Sequence, residues 1–228
     1  MANKPNIVFI FPDQHRGDTM GCAGNPAVTP NLDKLAEEGV HFGRCSPNSP
    51  LCMPARASLI SGRYVNEHGT WANNTASDAT GPSYVRNIRD AGYHTAQIGK
   101  LHLQPYGREG IHSRERIPHL IDWGYQDTHE LWDVMSYARC SCYYTDYLRE
   151  KNKLQVFREY MRNISRAVVP GWGQPWETPP ALLPTDETLD MYCANKSAEW
   201  IKSYKEDKPF YLQVGFTGLS KGRRPSFS

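Results

Sequence analysis

A cysteine and an arginine four positions apart stand out in residues 46–64 as a pair that could bind an anion. Proline is tolerated in a helix only in its first turn, so the order Cys52, Pro54, Arg56 predicts a helix that begins near Pro54 and ends at Gly62. Cys52 then lies where free backbone N–H groups and the helix dipole favour negative charge. Arg56 follows about one helical turn later and can point to the same place. Together they could hold a tetrahedral oxyanion, and a buried structural cysteine is the alternative.

Asp13 and Gln14 follow an apolar run, residues 6–11, that is typical of a central strand in a parallel sheet covered on both faces. In open α/β sheets, ligands collect beyond the carboxyl ends of the strands. A carboxylate and an amide oxygen in this position suit Ca²⁺ or Mg²⁺. From the residues alone, the alternative is an aspartate that caps the following turn.

Lys100 and His102 end a second predicted strand, residues 93–102. Alternate residues of a strand point to the same side, so the pattern predicts that the two side chains share a face. A lysine supplies positive charge to an oxyanion, and a histidine can transfer protons near neutral pH. For either residue alone, a surface lysine or a structural histidine is the alternative.

Two segments resemble the signatures of the type I sulfatases, which are members of the alkaline phosphatase superfamily. The first is Cys-x-Pro-x-Arg followed by Ala-Ser-Leu-Ile-Ser-Gly-Arg, and the second is Gly-Tyr-x-Thr-x-x-Ile-Gly-Lys-x-His. The resemblance implies a sulfuric ester hydrolase in which Cys52, oxidised to formylglycine, supplies the nucleophilic oxygen and Arg56 orients it. It implies further that Lys100 and His102 contact the sulfate group of a small sulfate ester. The formylglycine-generating enzyme would then be a partner of this chain.

The same resemblance implies a divalent cation, with calcium as the expected ion and magnesium or manganese as alternatives. Its ligands from this chain would be Asp13, Gln14 and the side chain derived from Cys52. The Asp-Gln pair is similar to the choline-sulfatase-like and phosphonate monoester hydrolase-like branches, so hydrolysis of phosphonate or phosphate esters stays open as an alternative. Asn73 falls where choline-sulfatase-like enzymes carry an active-site asparagine, and it is therefore expected to contact substrate or the nucleophile.

Helical patterns alternate with apolar strands, which predicts an α/β fold with a mostly parallel central sheet and flanking helices. The resemblance implies the same alkaline phosphatase-like fold. Residues 103–183 carry many aromatic residues and prolines, and we interpret them as an irregular insertion that shapes a substrate pocket around one helix at 147–164. Further helices are predicted at 83–92 and 185–205, with another strand at 209–216.

The resemblance covers residues 5–218 and corresponds to only the N-terminal portion of a sulfatase domain. We therefore interpret residues 1–218 as an incomplete, C-terminally truncated catalytic domain and residues 219–228 as an atypical basic tail. The Pro-His-x-Pro type segment expected after the last strand is absent, and Ser220 stands near the place of its histidine. A non-catalytic remnant of a sulfatase is for this reason an alternative to an active enzyme.

Composition limits the remaining classes of function. The chain has 228 residues, with 26 basic and 24 acidic side chains that give a net charge of +2. This balance gives no electrostatic case for binding nucleic acid or an anionic membrane. We find no signal peptide and no apolar run near the ~20 residues of a membrane span, so we expect a cytoplasmic protein, with its oligomeric state left open. The six scattered cysteines are expected to be free thiols.

Overall fold

The structure is a computed structural model that describes residues 4–13, 15–105, 110–167 and 182–217. Within these residues the strands are β1 (Ile7–Pro12), β2 (His94–Gly99), β3 (Asp127–Glu130) and β4 (Phe210–Phe216). The α-helices are α1 (Pro30–Glu38), α2 (Cys52–Ser61), α3 (Val65–His68), α4 (Tyr84–Asp90), α5 (Ile117–Asp122), α6 (Tyr143–Glu150), α7 (Leu154–Ala167) and α8 (Leu189–Ser203). Short 3-10 helices lie at Gly21–Ala23, Ser113–Arg116, Val134–Ala138 and Thr185–Glu187.

The strands form one sheet in the order β1-β4-β2-β3, and every neighbouring pair is parallel. The register pairs Ile7 with Tyr211, His94 with Phe210 and Ala96 with Asp127. Because all strands run the same way, their carboxyl ends meet at one edge of the sheet. The predicted α/β fold with a parallel sheet and flanking helices is confirmed.

Helices cover the central strands β2 and β4 on both faces. Alternate residues of these strands point to opposite sides of the sheet, so each face has its own apolar cluster. Burying each large apolar side chain there stabilises the fold by about 1.5–3 kcal/mol. On one face α6, α7 and α8 pack on the sheet, in a cluster that includes Ala96, Ile98, Tyr144, Phe157, Cys193, Leu212 and Val214. On the other face α2, α4 and α5 pack on it, in a cluster that includes Ile60, Val85, Leu120 and Tyr211.

Strand β1 lies at the edge of the sheet in the described part of the chain, so the prediction of a central strand covered on both faces is wrong. It pairs with β4 alone, and Val8 and Ile10 keep 46% and 54% of their surface exposed. Among the described residues of the first fifty, none is buried as a whole residue, although the side chain of Asp13 is. The apolar Leu35 on α1 is exposed. A continuous apolar run predicts a strand, but it does not reveal how many neighbours cover that strand.

The region 103–183 is more regular than the predicted insertion. It supplies β3 to the sheet, together with α5, α6 and α7. The helix predicted at 147–164 is interrupted, because α6 ends at Glu150 and Asn152 adopts a left-handed conformation with φ 59°. Asparagine tolerates this conformation better than most residues. Residues 168–181, within this region, lie outside the described residues, as does the predicted tail at 219–228.

Two expectations about the whole chain can be compared with the described residues. No disulfide joins the six cysteines, all of which lie in the described ranges, as expected for thiols. Among the helices of those ranges, none has the length and apolar character needed to cross a membrane.

An exposed apolar edge strand promotes association between chains. We therefore expect the 228-residue chain to self-associate through β1, and Ile10→Lys to weaken that association at least about tenfold, a change of roughly 1.4 kcal/mol. Val156→Lys is the matched control, since Val156 on α7 is 56% exposed and remote from β1. Sedimentation velocity over a concentration series measures the effect. Equal association of both variants and the unsubstituted chain would contradict the expectation.

Candidate active site

Asp13 follows β1 and lies at the carboxyl edge of the sheet, where its backbone N–H donates to the carbonyl of Phe216 (3.1 Å). Its side chain is almost completely buried, and its two oxygens accept from Arg56 Nη2 and Lys100 Nζ, each at 2.9 Å. Burial alone would raise the pKa of this carboxyl. Lys100 and Arg56 outweigh burial and hold the pKa below its ordinary value, so Asp13 is an anion.

Helix α2 begins at Cys52, two residues earlier than predicted, and Pro54 still falls in its first turn. The helix ends at Gly62 as predicted, with φ 67° and a hydrogen bond to the carbonyl of Ser58. The half-buried Asn73 accepts a hydrogen bond from the backbone N–H of Met53 (3.0 Å) through Oδ1. This is one of the first-turn N–H groups without a partner inside the helix. Asn73 therefore supports the turn that carries Cys52, and its predicted contact with substrate stays a prediction.

The Cys52 thiol is partly buried beside the charged residues of the site. Burial raises its pKa above the ordinary value, while Lys100 and Arg56 act in the opposite direction and Asp13 and Asp133 add to the rise. A thiol with a raised pKa is a poor nucleophile because the thiolate is the reactive form. The unmodified Cys52 side chain is thus not activated.

Arg56 is buried and holds the backbone that follows β2. Its Nη1 donates to the carbonyl of Lys100 (2.9 Å) and, at 3.5 Å, to that of Leu101. Its guanidinium also lies over the ring of Phe11, 4.7 Å from the ring centroid. Arg56 therefore contacts three parts of the site: the backbone after β2, the ring of Phe11 and the carboxylate of Asp13. The planar guanidinium, with its several N–H donors, allows these contacts at the same time.

Strand β2 ends at Gly99, so Lys100 and His102 are not alternate residues of a strand as predicted. Gly99 has φ 98°, and a Cβ there would lie 2.1 Å from the carbonyl oxygen of Gly215 in β4. The chain then turns sharply, and His102 itself adopts a left-handed conformation with φ 53°. Close backbone approach and a turn, instead of strand alternation, bring the two side chains to the site.

Lys100 is 1% exposed, and its ammonium group bridges two carboxylates, those of Asp13 and Asp133. With Arg56, the cluster contains two cations and two anions, so its formal charges balance. A buried charge is costly unless it is paired. This balance allows four ionised groups to lie together at the edge of the sheet.

His102 is buried, and its pKa is lowered to about 3. Burial is the largest cause, Lys100 and Arg56 lower the pKa further, and Asp133 and Asp13 oppose them. The imidazole of His102 is therefore neutral near pH 7 in this state of the site, and its predicted part in proton transfer stays a prediction. An anion bound next to it would raise the pKa.

Two acids that sequence reasoning missed belong to this site. Glu130 ends β3 and accepts from the backbone N–H of His102 (3.1 Å), and burial raises its pKa to about 7. Asp133 follows three residues later and binds Lys100. Strand β3 reads Asp-Thr-His-Glu and has no apolar run, so no strand was predicted there. If β3 had been predicted, the position of Glu130 and Asp133 at the carboxyl end of a parallel strand would have indicated that they belong to the site.

Comparison with known proteins shows the family. The family model described as Sulfatase matches residues 5–219. The chain belongs to the sulfatase family. It is 30% identical to the arylsulfatase of Clostridium perfringens (strain 13 / Type A) over 222 residues, covering 93% of this chain and 43% of that protein. It is 44% identical to the uncharacterized sulfatase YidJ of Escherichia coli (strain K12) over 101 residues, covering 44% of this chain and 20% of that protein.

Among solved structures, the phosphonate monoester hydrolase of Agrobacterium radiobacter superposes with a TM-score of 0.68 and 24% identity. The match covers 97% of this chain and 43% of that one, and it shows the shared fold. This sulfatase-family chain thus spans less than half the length of the relatives it matches.

The predicted metal ligands of the sulfatase site are only partly in the described residues. Gln14 lies outside them. Within the described ranges, no group of three or more His, Cys, Asp and Glu side chains is arranged to hold a metal ion. Asp13 presents both oxygens to cationic side chains. These residues alone therefore do not make a complete divalent cation site.

Replacing Asn73 by alanine removes the acceptor for the Met53 N–H. We expect Asn73→Ala to lower the free energy of unfolding by about 1 kcal/mol, the usual cost of losing a side-chain acceptor at a helix N-terminus. Asn74→Ala is the matched control, because Asn74 is the exposed neighbour. Urea unfolding monitored by circular dichroism measures both variants. A loss in Asn74→Ala as large as that in Asn73→Ala would refute the capping role.

Glu130 makes the free energy of unfolding fall as the pH rises, whereas a surface acid paired with a cation makes it rise. Its native pKa of about 7 exceeds the ordinary 4.5, so the folded state holds the proton more tightly. The stabilisation that comes from binding this proton is fully present below about pH 4.5. It is lost as the pH rises to 7, which lowers the free energy of unfolding by about 3 kcal/mol in total. Above pH 7 it stays constant.

Urea unfolding of the unsubstituted chain and of Glu130→Gln at pH 5 to 8 tests this expectation. The glutamine of this variant cannot ionise. Its free energy of unfolding, relative to that of the unsubstituted chain, should therefore increase as the pH rises to 7. Glu187→Gln is the control, because Lys153 and Lys151 lower the pKa of Glu187 and leave it ionised throughout that range. A stability difference for Glu130→Gln that does not vary with pH would contradict the raised pKa.

Proposed function

We propose that this chain acts in the hydrolysis of small sulfate esters, with a nucleophile produced from Cys52 by oxidation to formylglycine. One observation carries the proposal. Burial is the largest cause of the pKa shifts of Cys52 and His102, and the same four charged side chains also act on both groups, although Cys52 begins a helix and His102 follows a strand. These four are Asp13, Arg56, Lys100 and Asp133. Family membership and this convergence support one site with the predicted residues in it.

The state of the Cys52 thiol supports its conversion. The helix N-terminus and two cations near it do not overcome burial, and the pKa of the thiol is raised. An unmodified cysteine would therefore be mostly protonated at neutral pH and weakly nucleophilic. A hydrated aldehyde supplies an oxygen nucleophile that does not depend on forming a thiolate.

Lys100, Arg56 and His102 then have distinct tasks. Lys100 offers a buried ammonium group to the sulfate oxygens, and Arg56 keeps the lysine backbone and Asp13 in place. Preorganised charge of this kind stabilises the transition state of group transfer. A bound sulfate group would raise the pKa of His102, so that the imidazole can accept a proton during turnover. Asn73 supports the backbone next to the nucleophile.

A divalent cation completes the proposal, calcium first, with magnesium or manganese as alternatives. From this chain, Asp13, Gln14 and the side chain derived from Cys52 would be its ligands, and further ligands must come from outside the described residues. Such an ion supplies positive charge to the reacting sulfate oxygens. The roles given to Lys100, Arg56 and His102 do not depend on it.

Mass spectrometry of the chain co-expressed with a formylglycine-generating enzyme is the first test. Conversion of Cys52 should lower the mass of its tryptic peptide by about 18 Da. That peptide, residues 45–56, also contains the exposed Cys45, which serves as an internal control. Fragment ions should place the loss on Cys52 and leave Cys45 intact. An unmodified Cys52 under these conditions would refute the proposed nucleophile.

Hydrolysis assays with the modified chain are the second test. We expect turnover of an aryl sulfate, complete loss of turnover in Cys52→Ala, and full retention in the matched variant Cys45→Ala. Choline sulfate and a phosphonate monoester, assayed in parallel, compare the substrate classes. Faster hydrolysis of the phosphonate would overturn the proposal in favour of the phosphonate alternative. No turnover of any ester by the modified chain would favour a non-catalytic remnant.

A further inference from the structure

The turn that carries Lys100 and His102 is held by two side chains, the guanidinium of Arg56 and the carboxyl of Glu130. Arg56 donates to the carbonyls of Lys100 and Leu101, at 2.9 and 3.5 Å. Glu130 Oε1 accepts from the backbone N–H of His102 at 3.1 Å. Arg56 thus binds two carbonyl acceptors of the turn, and the Glu130 carboxyl binds the N–H donor of His102.

This turn needs external support, because His102 has a left-handed backbone conformation with φ 53°. Such a conformation costs a residue other than glycine roughly 1–2 kcal/mol, and it persists only where the surroundings enforce it. Glu130 is well placed to enforce it. It ends β3, pairs with Gly99 across the sheet and is itself buried.

We propose that Glu130 is a positioning residue for the sulfate ester hydrolysis proposed above: it fixes the backbone of His102 and so keeps His102 and Lys100 in the charged cluster. Glu130 makes no contact with the reacting groups in this assignment and acts through His102. The inference deepens the proposed function and rests on it.

A hydrogen-bonding role distinguishes Glu130 from an ordinary buried side chain. Burying a carboxyl is unfavourable, and burial is the largest cause of its raised pKa. The amide of His102 offsets part of that cost. A leucine of similar size would avoid the cost but would leave the His102 amide without this acceptor. The acid is therefore explained by the turn that it supports.

Two variants and one matched control test the assignment by steady-state kinetics. Glu130→Leu removes the acceptor and should lower kcat about 10- to 100-fold, as loss of a supporting contact around a catalytic group does, while KM changes less than about threefold. Glu130→Gln keeps an oxygen acceptor and should recover most of kcat. Glu187→Leu removes another buried carboxylate, one bound to Lys151 and Lys153, and should stay within about twofold of the unsubstituted chain.

Nuclear magnetic resonance of the backbone amide of His102 gives a readout that needs no turnover. In the unsubstituted chain its proton shift should follow pH with a midpoint near 7, the pKa of Glu130. The midpoint should disappear in Glu130→Leu and persist in Glu187→Leu. If Glu130→Leu does not fold, the titration of the unsubstituted chain and of Glu130→Gln decides the assignment.

Failure of this inference and failure of the proposed function give different results. If the unsubstituted chain does not hydrolyse sulfate esters, the proposed function fails, and the amide titration still decides whether Glu130 holds His102. An amide of His102 that does not respond to Glu130 overturns the assignment. So does a Glu187→Leu variant whose kcat falls as far as that of Glu130→Leu.

Discussion

The candidate site depends on one shared carboxylate, that of Asp13. Its two oxygens bind Arg56 and Lys100, and it thereby joins the end of β1 to helix α2 and to the segment after β2. All three side chains are almost inaccessible to water, where a charge is tolerated only when it is paired. Removing Asp13 would take away the carboxylate that Arg56 binds and one of the two that Lys100 binds. Three segments that are distant in the sequence are thus fixed together by electrostatics.

The parallel sheet makes this network possible, because it brings the carboxyl ends of β1, β2, β3 and β4 to one edge. Gly99 and Gly215 allow the backbones of β2 and β4 to approach each other where a Cβ would clash. The four charges of the cluster then balance. Next to them, the Cys52 thiol and the His102 imidazole are both uncharged at neutral pH, each chiefly because it is buried.

Two strands show how far local pattern predicts a fold. Strand β1 was predicted from its apolar run, but its position at the edge depends on which chain segments pair with it, and that is a tertiary property. Strand β3 was not predicted, because its four residues are polar and sheet pairing alone makes them a strand. The interpretation of residues 103–183 as an irregular insertion missed β3 for this reason, and it missed helix α5 as well.

The sequence by itself determined the residue types of the site and the features that follow from local spacing. These are the helix that carries Cys52 and Arg56, its end at Gly62 and the strand leading to Asp13. Only the tertiary structure decided that Lys100 bridges Asp13 and Asp133, that Glu130 holds His102, and that the pKa of His102 lies near 3. The physical reason is that burial and charge pairing join residues about 30 to 90 positions apart, whereas sequence pattern reports periodicity over one or two turns.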